Sequence, residues 1–158
     1  MHARHMLCLL SVVSLTALCP VPIDAAGFEK SLPKDVDEAL RLGNDFTLMG
    51  VDPDALETVP PTSERWRVLK RVSINDPKLR TEAVDALKKA IEESGTAKHC
   101  FLPRHAITTT HNGKEYTLVI CFQCSQILVF VDGRLEHEVL VGNSAKAVLD
   151  KLLASAEK

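Results

Sequence analysis

Two Asx-Gly dipeptides, Asn112-Gly113 and Asp132-Gly133, each sit between runs rich in apolar and β-branched residues, and they constrain the fold more tightly than any other feature of the chain. A two-residue hairpin of type I′ needs left-handed backbone at both central positions, which Asn-Gly and Asp-Gly adopt at little cost. Each dipeptide therefore sets a hairpin and the register of the strands beside it. Around them the pattern predicts strands over residues 104–111, 115–122, 126–131 and 134–141, an antiparallel meander whose second member is apolar on both faces.

Upstream the periodicity changes twice. Residues 35–42 suit a short helix stopped by Gly43 and Asn44. Residues 45–51 alternate, with Phe46 and Leu48 on one face, and close at Asp52-Pro53. A loop is expected over 58–63, around Pro60 and Pro61. A half-exposed strand follows over 66–74, with Trp66, Val68, Val72 and Ile74 on one side. Asn75 or Asp76 can then cap a helix with Pro77 in its first turn and an apolar stripe of Leu79, Ala83, Ala86, Leu87, Ala90 and Ile91, ended by Gly95. A last helix, capped by Asn143 or Ser144, aligns Ala145, Val148, Leu149, Leu152, Leu153 and Ala156. This order predicts an α+β domain, with two helices packed on a mostly antiparallel sheet. At 158 residues and 46% apolar content, one domain over 45–158 is expected, with 26–44 as a lead-in.

The formal charge is −2, with cations scattered among anions, so nucleic acid is not an expected partner. The first 25 residues read as an export signal: a weakly basic start, an apolar run over 6–18 too short to span a bilayer, and small residues Ala25 and Ala26 for cleavage. The mature chain is thus expected outside the cytoplasm, periplasmic or extracellular, with no membrane span. Cys19 ends the apolar run where a lipid anchor could attach, but the preceding Leu15-Thr16-Ala17-Leu18 puts a bulky Leu where a small residue is needed, which argues against one. Cys8 and Cys19 leave with the signal, and the remaining three cysteines are an odd number for an oxidising compartment. Glycine-rich phosphate loops and G-x-S-x-G are absent, which excludes nucleotide binding by a familiar loop and a recognisable nucleophile elbow.

Those three cysteines form, with one histidine, a C-x4-H-x15-C-x2-C pattern: Cys100, His105, Cys121 and Cys124. Three chemistries suit it. Four such ligands match a Cys3His zinc site, provided the chain turns around Phe122-Gln123 to bring Cys121 and Cys124 to one side. A disulfide from Cys100 to Cys121 or Cys124 would staple the open end of the first hairpin, closing a loop of about twenty residues worth roughly 3 kcal/mol. Thiol redox chemistry is the third, although a strand, not a helix, follows the C-x-x-C. Beside the cluster, Arg104 and His105 could recognise an anion or a partner through a planar guanidinium and an imidazole; a surface strand start after Pro103 is the simpler reading. His111 and His137 read as solvated.

At these residues the chain resembles a group of small, uncharacterised exported bacterial proteins that share C-F-x-P-R-H and C-F-x-C segments, here Cys100-Phe101-Leu102-Pro103-Arg104-His105 and Cys121-Phe122-Gln123-Cys124. Asp45 to Pro53 is similar to the group's upstream strand. The resemblance implies export and a cysteine and histidine cluster acting as one unit. It leaves bridge, metal and redox pair open. The expectation is an exported, non-catalytic domain with a structural cluster and a binding or envelope role; the alternative is metal binding or thiol redox at the same residues.

Overall fold

A six-stranded sheet in the order β2-β1-β3-β4-β5-β6 organises the chain, and every neighbouring pair in it is antiparallel. The computed structural model describes residues 27–54 and 65–155. The expected export signal, with Cys8 and Cys19, and the whole of the expected proline loop lie outside them. The elements are α1 (Lys34–Leu42), β1 (Asn44–Val51), β2 (Val68–Ser73), α2 (Pro77–Glu92), β3 (His105–His111), β4 (Lys114–Cys121), β5 (Gln126–Val131), β6 (Arg134–Leu140) and α3 (Lys146–Ala154). The architecture is a single α+β domain with a C-terminal meander. Strand β1 pairs with β2, α2 crosses the sheet, and β3 returns to the free side of β1, so the meander grows from the first hairpin.

All three helices feed one core. Val36, Ala39 and Leu40 of α1, Ala83, Val84, Leu87, Ala90 and Ile91 of α2, and Leu149 and Leu152 of α3 cluster with Leu48, Ile107, Leu118, Ile120, Ile127, Val129 and Val139 of the sheet. Because successive strand residues point to opposite faces, the intervening Met49, Ala106, Val119 and Phe130 meet on the other side, where Val51 and Trp66 join them. That second cluster is smaller. It explains why β4 reads as apolar on both faces. Helix α1 falls in the expected lead-in and contributes three fully buried side chains.

Three local expectations change. Trp66 and Val68 do not share a face with Val72 and Ile74: Gly50 pairs with Lys70 and Val51 with Val68, leaving Leu69 as a bulge. One extra residue reverses the alternation, so Trp66 and Val68 reach the second cluster while Val72 and Ile74 stay with the first. In α2 the buried arc is centred near Leu87, with Leu79 about 80° away on a 3.6-residue helix; Leu79 is 39% exposed and Val84 is buried in its stead. Asp76 caps α2 by accepting from the Lys78 N–H, whereas α3 begins after Ala145 with no side-chain cap, and Ala156 lies outside the described residues.

The joint between α1 and β1 is clamped by Arg80 of α2, whose guanidinium donates to the carbonyl oxygens of Leu40 (2.6 Å), Gly43 (2.6 Å) and Ala39 (3.1 Å) and lies over the Phe46 ring. The Leu40 carbonyl among them is one of the acceptors that a helix C-terminus leaves without an intrahelical partner. Gly43 has no room for a side chain: a Cβ there would come within 2.5 Å of the Ala39 carbonyl oxygen and of Thr109 Oγ1. At the far edge, Glu29 forms a parallel bridge with Val139, giving its N–H to the Glu138 carbonyl and accepting from the Leu140 N–H.

Candidate functional site

Cys121 is the last residue of β4, and residues 122–125 turn the chain into β5. A four-residue connection can reverse direction without glycine if one position goes left-handed, and Ser125 does so at φ 60°. The turn brings Cys124 back over Cys121. The two form a disulfide with a Cα separation of 5.2 Å, and the Cys124 N–H also points at Cys121 Sγ (3.2 Å). Phe122 drops into the helix-side core, and Gln123 is left on the surface.

Cys100 reaches this turn from a separate segment. The Lys98 N–H donates to the Cys124 carbonyl (3.0 Å), and the Gln126 side chain returns a bond to the Lys98 carbonyl (2.5 Å). Phe101 packs edge-on against Trp66 at 5.6 Å, which anchors the segment in the second cluster. The result sets Cys100 Sγ 3.1 Å from Cys124 Sγ, with the Leu102 N–H donating to Cys124 Sγ at 3.3 Å. Cys121 and Cys124 are sealed, at 1% and 0% exposure. Cys100 is half-buried, carries a free thiol and lines a cavity of about 730 Å³ together with Phe28, His99, Phe101 and Leu140.

The bond therefore differs from the expected staple between Cys100 and the hairpin. It joins neighbours across a turn, because the left-handed Ser125 lets C-x-x-C double back on itself. All three sulfurs still meet. A sequence with Phe and Gln between its cysteines gives no glycine to announce such a turn, and Ser125 is an unremarkable residue at a strand start.

His105 faces a different neighbour. It opens β3, is only 3% exposed, and its Nε2 lies 2.8 Å from Asp150 Oδ1 of α3, with its ring edge-on to Phe122 at 5.4 Å. The expected surface strand start is thus a buried one. A carboxylate can only accept, so Nε2 carries the proton and Nδ1 is left with a lone pair; Nδ1 is buried and has no hydrogen-bond partner. Burial lowers the His105 pKa below its ordinary 6.5, offset only in part by Asp150. Burial by itself would raise the Asp150 carboxyl; hydrogen bonds from Lys146 and His105 hold it below the usual carboxylate value. Asp150 and Lys146 were not singled out by sequence, since nothing short of the fold shows that α3 sets Asp150 beside the first residue of β3.

Among the described residues, no three His, Cys, Asp or Glu side chains are placed to hold a metal ion. Arg104 is exposed beside His105 on the same small cavity. His111 and His137, expected to be solvated, each face a glutamate: Nε2 of His111 lies 3.8 Å from Glu38 and Nδ1 of His137 lies 2.8 Å from Glu29. No described helix is long and apolar enough to cross a membrane. Comparison with protein-family models, with curated proteins and with solved structures returned no match, so the site is to be read from its own chemistry.

Proposed function

We propose that this is an exported domain of the periplasm or the extracellular space that carries out thiol–disulfide exchange, with Cys121–Cys124 as the exchangeable bond and Cys100 as the sulfur through which partners reach it. The approach of Cys100 Sγ to 3.1 Å of Cys124 Sγ carries this reading. A thiolate exchanges only with a sulfur it can touch, and the bonded pair is closed to solvent while Cys100 is not. As a staple the bond is weak, since a four-residue loop confers about 2 kcal/mol by the chain-entropy relation.

The steps balance as follows. The Cys100 thiolate attacks Cys124 Sγ; a Cys100–Cys124 bond forms and Cys121 leaves as a thiolate that takes up a proton. A thiolate of a protein dithiol partner then attacks Cys100 Sγ, releasing Cys124. The partner's second thiolate attacks its own mixed-disulfide sulfur, freeing Cys100. The partner has lost two electrons and two protons, and Cys121 and Cys124 have gained them.

The test is disulfide mapping of the mature Cys121→Ser protein in an oxidising glutathione buffer. Exchange through Cys100 requires a Cys100–Cys124 bond in that variant and one alkylatable thiol in the wild type. Two free thiols in a folded Cys121→Ser protein would sink the reading, leaving a structural bond with a bystander cysteine.

A further inference from the structure

The cavity that Cys100 borders has walls of two kinds. Phe28, Phe101 and Leu140 supply apolar surface, while Lys30, Lys98 and His99 are exposed around it. No aspartate or glutamate lines it, although the whole chain carries a formal charge of −2. Among the described residues the Lys30 and Lys98 ammonium groups have no hydrogen bond or ion pair. At about 730 Å³ the space falls within the roughly 300–1,000 Å³ of sites that enclose a drug-sized molecule, which is room for a few residues of peptide.

The wall from Gly95 to Phe101 belongs to no helix or strand. Its main chain is tied to the β4–β5 connection through the Lys98 N–H and carbonyl. Among the described residues, the N–H and C=O groups of Thr96, Ala97, His99 and Cys100 make no hydrogen bond. An extended peptide pairs with free main-chain groups of this kind while its side chains enter adjoining pockets. We infer that this cavity is where the partner's chain docks, as an extended segment with a large apolar residue next to its cysteine and a carboxylate one residue further.

The spacing comes from the wall itself. Phe101 adjoins Cys100, and Lys98 lies two residues away, at most about 7 Å along the chain. The inference rests on the exchange reading, because it describes the partner that Cys100 is to meet. Glutathione has carboxylates but no apolar side chain for Phe28 and Leu140, so the cavity favours a peptide over a small thiol.

The test uses the mature protein and four thiopyridyl disulfides, made from glutathione and from capped peptides symmetric about one cysteine: Glu-Leu-Cys-Leu-Glu, Lys-Leu-Cys-Leu-Lys and Glu-Ser-Cys-Ser-Glu. The Cys100 thiolate attacks the probe's cysteine sulfur, a mixed disulfide forms, and the departing thiolate takes up a proton as pyridinethione, whose release gives the rate. Peptide mapping identifies the modified residue. Dividing each rate by that of the same probe with mercaptoethanol removes the probe's own reactivity. The Glu-Leu peptide should react about tenfold or more faster than the Glu-Ser peptide and the glutathione probe, through burial of leucine. It should react about three- to tenfold faster than the Lys-Leu peptide, through exposed charges alone. Phe28→Ala should cut the preference for Leu over Ser by about threefold or more, and Lys30→Gln combined with Lys98→Gln should abolish the preference for Glu over Lys. Equal rates for all four probes, a faster glutathione probe, or preferences untouched by both variants would overturn the docking site and leave exchange standing, which the Cys121→Ser mapping judges by itself. If Cys100 accepts no probe at all, both readings fall.

Discussion

The meander makes three successive reversals, and two of them are unlike the third. Asn112-Gly113 and Asp132-Gly133 turn in two residues with φ of 49° and 76°, and 49° and 77°; the second also exchanges two hydrogen bonds with Glu115 of β4. The turn from β4 to β5 uses four residues, spends a left-handed conformation on Ser125, buries Phe122 and carries a disulfide. The first kind takes its shape from the backbone preference of Asx-Gly. The second is held by contacts to the rest of the molecule, and that is why chemistry can sit on it: side chains replace glycine, and sulfur atoms come together.

Substitutions can break this contrast. The largest effect is expected from Phe122→Ala, which removes a core aromatic and uncovers His105, and should cost about 3 kcal/mol or more in denaturant unfolding. No substitution at Asn112 should approach it. Reducing the Cys121–Cys124 bond comes next, at about 2 kcal/mol or less for so short a loop, read as the shift in urea midpoint with and without reductant. A larger loss would make the bond a true staple.

Acid sharpens the comparison from another side. Because burial lowers the folded His105 pKa below 6.5, the unfolded chain binds the proton first as pH falls. The contribution is complete above the unfolded value and is lost as pH drops from about 6.5 toward the folded pKa, with a slope of at most about 1.4 kcal/mol per pH unit. Phe122→Ala should flatten that slope; an unchanged slope would mean that the turn does not shield the imidazole. Gly113→Ala should cost about 1 kcal/mol, all of it backbone, since a Cβ there meets nothing within 4 Å. The smallest effect has the opposite sign: Ser125→Gly should stabilise by about 0.5 kcal/mol, relieving the left-handed serine.

The same contrast explains what could be read in advance. Hairpins marked by Asx-Gly, the Asp76 cap of α2 and the α+β order are local features, and local chemistry announces them. The faces of Trp66 and Val68 were misassigned because a bulge at Leu69 is set by pairing with β1, which no window of residues contains. At the site, convergence of Cys100 with the C-x-x-C pair was legible from spacing and the hairpin. The pairing itself was not, because it depends on Ser125 adopting a conformation that serine seldom shows. The burial of His105 against Asp150 joins residues 45 positions apart on β3 and α3, so it belongs to the tertiary structure alone.

The Glu29 bridge has a consequence for how the molecule behaves among copies of itself. A sheet whose last strand offers bare N–H and C=O groups is a template for a neighbour's strand. The edge of β6 is bridged at its C-terminal end by Glu29, while the edge of β2 is interrupted by its bulge and bears Lys70 and Arg71. Proteolytic trimming past Glu29 would leave every helix and strand in place and yet expose that margin of β6. Such a molecule would be more open to edge-to-edge pairing there, so Glu29, in what reads as a lead-in, guards one end of the sheet against self-association.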